Sequence, residues 1–156
     1  MKIALFPGSF DPFTKGHADI VQRALPLFDK IIIAFGTNST KERFIALPEM
    51  INCLEKIYKN EPKVEISSYS GLTVDFCKKK GIQFILRGLR NYTDFEYERT
   101  IAHLNQSMDK SLETVFLTTT PENSSVTSTI VREIIRFGGD ASNFVPKVID
   151  EYLKKR

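Results

Sequence analysis

The stretch LFPGSFDPFTKGHADI, residues 5–20, opens as an apolar strand, closes as the first turn of a helix, and packs two prolines, two glycines, two hydroxyls and a histidine between them. An apolar run that breaks at Gly and Pro and resumes with helical spacing is a strand–loop–helix unit. The same alternation continues outward from it. KIALF, IIIAF, VEIS, FILR and TVFLT are five short runs rich in β-branched or aromatic residues. Most lack the polar alternation of a sheet with one wet face, so they are predicted to be buried on both sides.

Helix-period segments lie between and after these runs, at 17–29, 48–59, 72–80, 93–108, 127–137 and 146–155. Pro48 and Pro146 suit first-turn positions, and Gly81 and Gly138 follow the last periodic residues. Pro26 is expected to kink or shorten the first helix. No internal repeat, low-complexity tract or linker interrupts the pattern. The spacing predicts one α/β domain over residues 1–156, doubly wound and Rossmann-like, on a parallel five-stranded sheet.

A chain of 156 residues suits one domain with room for an enclosed site. Its 22 Lys and Arg against 19 Asp and Glu leave a formal charge of +3. That excess suits anionic small molecules and falls short of the basic stripe of a nucleic-acid binder. Cys53 and Cys77 have no metal-type spacing and argue for a reducing compartment. The apolar start of MKIALFPG is too brief for a signal segment, so a cytoplasmic location is expected. Four Asn-x-Ser/Thr triplets, at Asn38, Asn91, Asn105 and Asn123, are read as chance.

Ligands of open α/β sheets bind beyond the carboxyl ends of the strands. The loops there read PGSFDPFTKGH, GTNSTKER, SYSGLT, RGLR and TTTPENSSVTST. In the first, Gly8 and Gly16 allow close backbone approaches, and Pro7 and Pro12 stiffen the path. A helix start near His17 favours an anion and disfavours an imidazolium, so His17 is expected to be a neutral hydrogen-bond donor to a phosphoryl oxygen. A capping histidine is the plain alternative. Neither GxGxxG nor a Walker A pattern is present. There is also no G-x-S-x-G elbow and no paired Cys and His, so no activated nucleophile stands out in these loops.

TKGH, residues 14–17, resembles the (H/T)xGH signature of the nucleotidylyltransferase superfamily. PGSFDPFTKGH, the lysine of STKERF, YSGLTVDF, ILRGLRNYTDFEYE and the SSVTST segment together resemble, in order and spacing, the bacterial phosphopantetheine adenylyltransferases. The resemblance covers nearly the whole chain. It implies adenylyl transfer from ATP to 4'-phosphopantetheine, giving dephospho-coenzyme A and pyrophosphate, with Mg2+ bound mainly through ATP phosphates and a homohexameric assembly. Catalytic roles fall on His17, Lys41 and Arg90. ATP contacts fall on Ser9, Phe10, His17, Gly88, Leu89, Arg90 and Glu98, and on Asn123, Ser124, Ser125, Val126, Thr127, Ser128 and Thr129. Phosphopantetheine contacts fall on Ser9, Lys41, Thr73 and Arg87. No metal-ligating residue is assigned.

Without the resemblance, Lys41 reads as a solvated loop cation, Glu98 as a surface carboxylate and Thr127–Thr129 as a helix cap. Tyr92, Phe95 and Tyr97 read as core or subunit-contact aromatics, and His103 as an ordinary helix-face histidine. Asn123 stands where relatives often have Trp, and Glu42 and Arg43 depart from a Lys-rich loop. Two other functions compete: a nucleotidylyltransferase for a different phosphorylated acceptor such as nicotinate mononucleotide, and a non-catalytic nucleic-acid module. RGLRNYTDFEYE argues against the first, and the convergence of motifs at strand ends against the second.

Overall fold

Side chains of successive strand residues point to opposite faces, and β1 (Ile3–Gly8) illustrates the consequence. Ala4 and Phe6 enter one core layer and Leu5 the other, all at most 3% exposed. β2 (Lys30–Gly36) does the same, sending Ile31, Ile33 and Phe35 one way and Ile32 and Ala34 the other. Both faces are covered, which is why these strands read as unbroken apolar runs. The computed structural model describes residues 1–38 and 40–156. Ser39, the first residue of the quoted STKERF, lies outside the described residues.

After β1 come α1 (Lys15–Ala24), β2, α2 (Leu47–Ile57), β3 (Val64–Tyr69), α3 (Thr73–Lys80), β4 (Phe84–Leu89), α4 (Tyr92–Met108) and β5 (Glu113–Thr118). A short 3-10 turn (Pro121–Asn123), α5 (Ser128–Arg136) and α6 (Lys147–Lys154) complete the chain. The five strands are parallel in the order β3-β2-β1-β4-β5. The chain winds outward from β1 to β3, then returns to place β4 on the other side of β1. A crevice therefore opens between the carboxyl ends of β1 and β4, where successive connections leave in opposite directions. The doubly wound, five-stranded parallel sheet expected from the sequence is the one observed.

The expected boundaries needed correction in several places. α1 begins at Lys15 and ends at Ala24, rather than spanning 17–29. Pro26 cannot donate to the helix ladder and disfavours a helical residue before it, so the helix is cut short, not kinked. Pro146 is the residue preceding α6 and not a first-turn residue. β4 runs two residues past FILR to Leu89, paired with Thr118 of β5. The 3-10 turn was not foreseen. Gly81 and Gly138 do end helices, at φ of +66° and +77°, where a Cβ would be strained.

One buried carboxylate ties two strand-end loops together. Asp11, in the β1–α1 loop, accepts hydrogen bonds from the backbone amides of Phe44 and Ile45, both at 2.8 Å, and so anchors the far end of the β2–α2 loop. Arg43 lies 3.9 Å from the same carboxylate. Replacement of Asp11 by Ala strands two amides away from solvent. We expect Asp11→Ala to lower unfolding free energy by about 2–4 kcal/mol, read as a reduced urea midpoint with an unchanged m-value.

Candidate active site

The β1–α1 loop is shaped by a close approach. Phe10 has a φ of +45°, unusual for a residue with a side chain, and its ring lies over Gly8. A Cβ on Gly8 would fall 2.7 Å from the tip of that ring, so only glycine fits there. Phe10 and Phe13 then pack against the imidazole of His17, with centroid separations of 5.0 and 5.3 Å.

His17 is the third residue of α1 and closes a capping box with Thr14. The Thr14 hydroxyl oxygen accepts from the His17 amide at 3.3 Å, and His17 Nδ1 accepts from the Thr14 amide at 3.0 Å. A backbone N–H can only donate, so Nδ1 carries no proton and the neutral ring bears its hydrogen on Nε2. Loss of hydration, followed by the charges of Arg87 and Arg90, lowers the His17 pKa from 6.5 to about 3. The imidazole is thus a cap and a neutral donor at once, combining both readings made from the sequence.

Arg87 and Arg90 project from the carboxyl end of β4 and the turn after it. Each guanidinium is gripped by a carboxylate from α4. Arg87 donates through Nε and Nη2 to the two oxygens of Glu98, at 2.9 and 2.6 Å, and through Nη1 to the carbonyl of Pro7. Arg90 donates through Nε and Nη2 to Asp94, at 2.9 and 3.1 Å. These side-chain hydrogen bonds hold the Asp94 carboxyl below its usual range.

These groups border two cavities. The larger, of about 370 Å3, is lined by Ser9, Phe10, His17, Gly88, Arg90 and Glu98, and by Asn123, Val126, Thr127, Ser128 and Thr129. The second, of about 280 Å3, contains Thr73, whose hydroxyl lies 2.9 Å from that of Tyr69. Pro7, Gly8, Ser9, Arg87 and Glu98 line both, so the cavities meet on one wall.

Several residues singled out from the sequence lie elsewhere. Lys41 is exposed on the β2–α2 loop and lines neither cavity. Leu89, Ser124 and Ser125 also lie outside the linings. Ser124 turns its hydroxyl back to the carbonyl of Pro121 at 2.8 Å. Arg87 is not an open fork, since Glu98 already occupies two of its donors. Asn123 lines the larger cavity and donates to Thr120 at 3.0 Å. His103 is exposed on α4.

The sequence reading missed Arg132, which lines the larger cavity and donates to the carbonyl of Asp11 at 2.7 Å. Its signal was its place one turn after Ser128 and Thr129, on the same face of α5. Ser128 reaches the same loop, donating to the carbonyl of Pro12 at 2.7 Å. Thr127 caps α5 by accepting from the Ile130 amide at 3.0 Å. The start of α5 is thereby fastened to the β1–α1 loop.

The larger cavity thus gathers Arg87, Arg90 and Arg132 against Asp94 and Glu98, with a neutral ring donor and the N-terminal turns of α1 and α5. Such a surface binds polyanions and offsets negative charge. Proton abstraction by His17 is disfavoured, because its unprotonated nitrogen is held by the backbone. Cys53 and Cys77 are buried, and loss of hydration raises both thiols, to about 12 for Cys77. Among the described residues no three His, Cys, Asp or Glu side chains gather as a metal site, and no helix is long and apolar enough to cross a membrane.

Residues 5–134 match the cytidylyltransferase-like family. The chain is 51% identical to the phosphopantetheine adenylyltransferase of Flavobacterium psychrophilum, over 96% of this chain and 98% of that protein. It is 50% identical to that of Cytophaga hutchinsonii, covering 93% and 97% of the two chains. With that of Lachnoclostridium phytofermentans it shares 45% identity, over 100% and 99%.

Because the folded His17 pKa lies below the unfolded one, the unfolded chain binds the extra proton between pH 6.5 and about 3. The contribution of His17 to stability is therefore whole above pH 6.5 and is lost as pH falls through that window. Nitrogen-15 spectra of the unliganded protein are expected to show a neutral His17, protonated on Nε2, from pH 8 down to about 5. A midpoint near 6.5 would contradict the assignment.

Proposed function

Since the chain belongs to the cytidylyltransferase-like family and, within it, to the phosphopantetheine adenylyltransferases, we infer that it reversibly transfers an adenylyl group from ATP to 4'-phosphopantetheine. The products are dephospho-coenzyme A and pyrophosphate. The observation that carries this reading from the family to the residues is the pair of cavities meeting on the Ser9–Arg87 wall. Two anionic substrates need neighbouring seats with a shared cationic boundary, so that one phosphate can meet the other.

In this reading ATP occupies the larger cavity, with its phosphates toward His17, Arg90 and the start of α5. The acceptor occupies the second, its arm along Thr73 and its phosphate at Arg87. A phosphate oxygen of the acceptor attacks the α-phosphorus, and the bond to the β-phosphate breaks to release pyrophosphate. That oxygen is already ionised at neutral pH, so no general base is required. The work of the protein is alignment and charge stabilisation. His17 donates from Nε2 to the oxygens that gather charge, and the arginines act as fixed cations. Lys41, exposed on the β2–α2 loop, is assigned to the phosphates by the family likeness alone. Gly88, Phe10, Asn123 and residues 126–129 border the nucleotide, and the family likeness alone adds Leu89, Ser124 and Ser125.

Mg2+, when bound, supplies further charge neutralisation on the phosphates. Asp94 and Glu98 are each engaged by an arginine, so a cation held through ATP oxygens and water suits this donor set. The family expectation of a homohexamer has a physical correlate in Tyr92, Tyr97, Leu104 and Met108, large apolar side chains exposed on α4. A cytoplasmic setting and small-molecule substrates, rather than nucleic acid or membrane, complete the proposal.

A pyrophosphate-release assay tests it. Activity is expected with ATP plus 4'-phosphopantetheine and not with nicotinate mononucleotide or glycerol 3-phosphate as acceptor; turnover of either alternative in preference would refute the acceptor assignment. His17→Ala, if folded, should lower kcat by about 10^2–10^3-fold, the usual cost of losing one preorganised donor. Unimpaired catalysis would remove His17 from the mechanism.

A further inference from the structure

Two strand-end loops are joined beside the second cavity. β2 and β3 pair as far as Gly36 and Tyr69, and the connection continues past both strand ends. The Thr37 amide and hydroxyl both donate to the Tyr69 carbonyl, at 2.8 and 3.0 Å. One residue on, the Asn38 carboxamide takes over. Its Nδ2 donates to the Gly71 carbonyl at 2.6 Å, and its Oδ1 accepts from the Gly71 amide at 2.7 Å. A primary amide carries an acceptor and donors on one flat frame, so a single side chain satisfies both backbone groups of one residue. Gly71 is where such a hold matters. Its φ of +83° turns the chain from β3 into α3, and α3 starts without a cap of its own, because Leu72 at the N-cap position makes no side-chain hydrogen bond. Thr73, the first residue of α3, lines the second cavity together with Gly36 and Tyr69.

We propose that Asn38 is a positioning residue for the acceptor: by gripping Gly71 it sets where the start of α3, and with it Thr73, stands on the wall of the second cavity. This rests on the adenylyl-transfer reading above, in which the arm of the acceptor lies along Thr73. Asn38 lines neither cavity, so it acts through the β3–α3 turn and not by touching a substrate. Its loss then loosens the acceptor seat and leaves the nucleotide seat, built from β1, β4, α4 and α5, as it was. The asparagine that the sequence offered only as the head of a chance Asn-x-Ser/Thr triplet thereby has a role.

The test combines steady-state kinetics for each substrate with hydrogen exchange at the Gly71 amide, on the full chain carrying Asn38→Ala or Asn38→Asp. The Asp variant keeps the shape and the accepting oxygen and loses the donor. Asn38→Ala is expected to raise the KM for 4'-phosphopantetheine by about 5–30-fold, as for two lost hydrogen bonds, and Asn38→Asp by at least about threefold, as for one. The KM for ATP and kcat at saturation should change by less than about twofold. Exchange at the Gly71 amide should quicken in the Ala variant by about 5–30-fold. If the Ala variant does not fold, the Asp variant carries the same kinetic comparison. Unchanged exchange at Gly71, an unchanged acceptor KM, or a loss shared equally by the ATP KM or kcat overturns the inference and leaves adenylyl transfer intact. Failure of both variants to fold does the same, since Asn38 would then serve the fold as a whole. Absence of pyrophosphate release from the unaltered protein, with ATP and 4'-phosphopantetheine, overturns the adenylyl-transfer reading and the inference with it.

Discussion

Two guanidinium groups three residues apart in one chain segment repel each other, and the site depends on how that repulsion is met. Arg87 and Arg90 both border the crevice, so two like charges stand close together and call for balance. Asp94 and Glu98 provide the balance. They lie four residues apart on α4, a spacing that would set two like charges against each other on an isolated helix. Here each faces its own arginine, so four charges alternate in sign and every one has an opposite neighbour. The imidazole beside them adds no further positive charge, because its pKa is far too low for it to be protonated.

This balance is possible only because of the strand order. β1 and β4 are neighbours in the sheet, although residues 3–8 and 84–89 are far apart in the chain. Their adjacency brings the Pro7 carbonyl to Arg87 and lets α4, which follows β4, fold its first turns over the crevice. From the other side, Asp11 and Arg132 bind the β2–α2 loop and α5 to the β1–α1 loop. The sheet supplies the positions, and the loop-to-loop bonds keep them once ligands come and go.

The fold was legible because strands covered on both faces leave continuous apolar runs, and IIIAF and FILR have no other economical reading. Helix limits were less so: Pro26 announced a break near the end of α1, but periodicity alone extended that helix to residue 29. The candidate site was legible where its geometry depends on local chain shape, as in the loop from Gly8 to His17. It was not legible where function depends on pairing across the fold. Glu98 lies eleven residues from Arg87, over a strand end, a turn and a helix start, and no periodicity marks such a pair. Arg132 carried a helical-spacing signal from Ser128 and Thr129, but its bond to a carbonyl on the first loop left no mark in the sequence. The exposed position of Lys41 agrees with its plain reading as a solvated loop cation and not with the cavity wall the family likeness suggested.

The ring at position 17 also restricts what can replace it. One of its nitrogens must accept from the backbone at the entrance of α1, while the other offers hydrogen in a different direction. Glutamine can satisfy the first demand, as such residues do in many capping boxes, but its donor and acceptor sit at the same end of the side chain. Lysine and arginine offer hydrogen and have nothing with which to accept. Only a five-membered heteroaromatic ring separates the two functions across a rigid frame, so helix initiation and the proposed donation to substrate would constrain this position to the same amino acid.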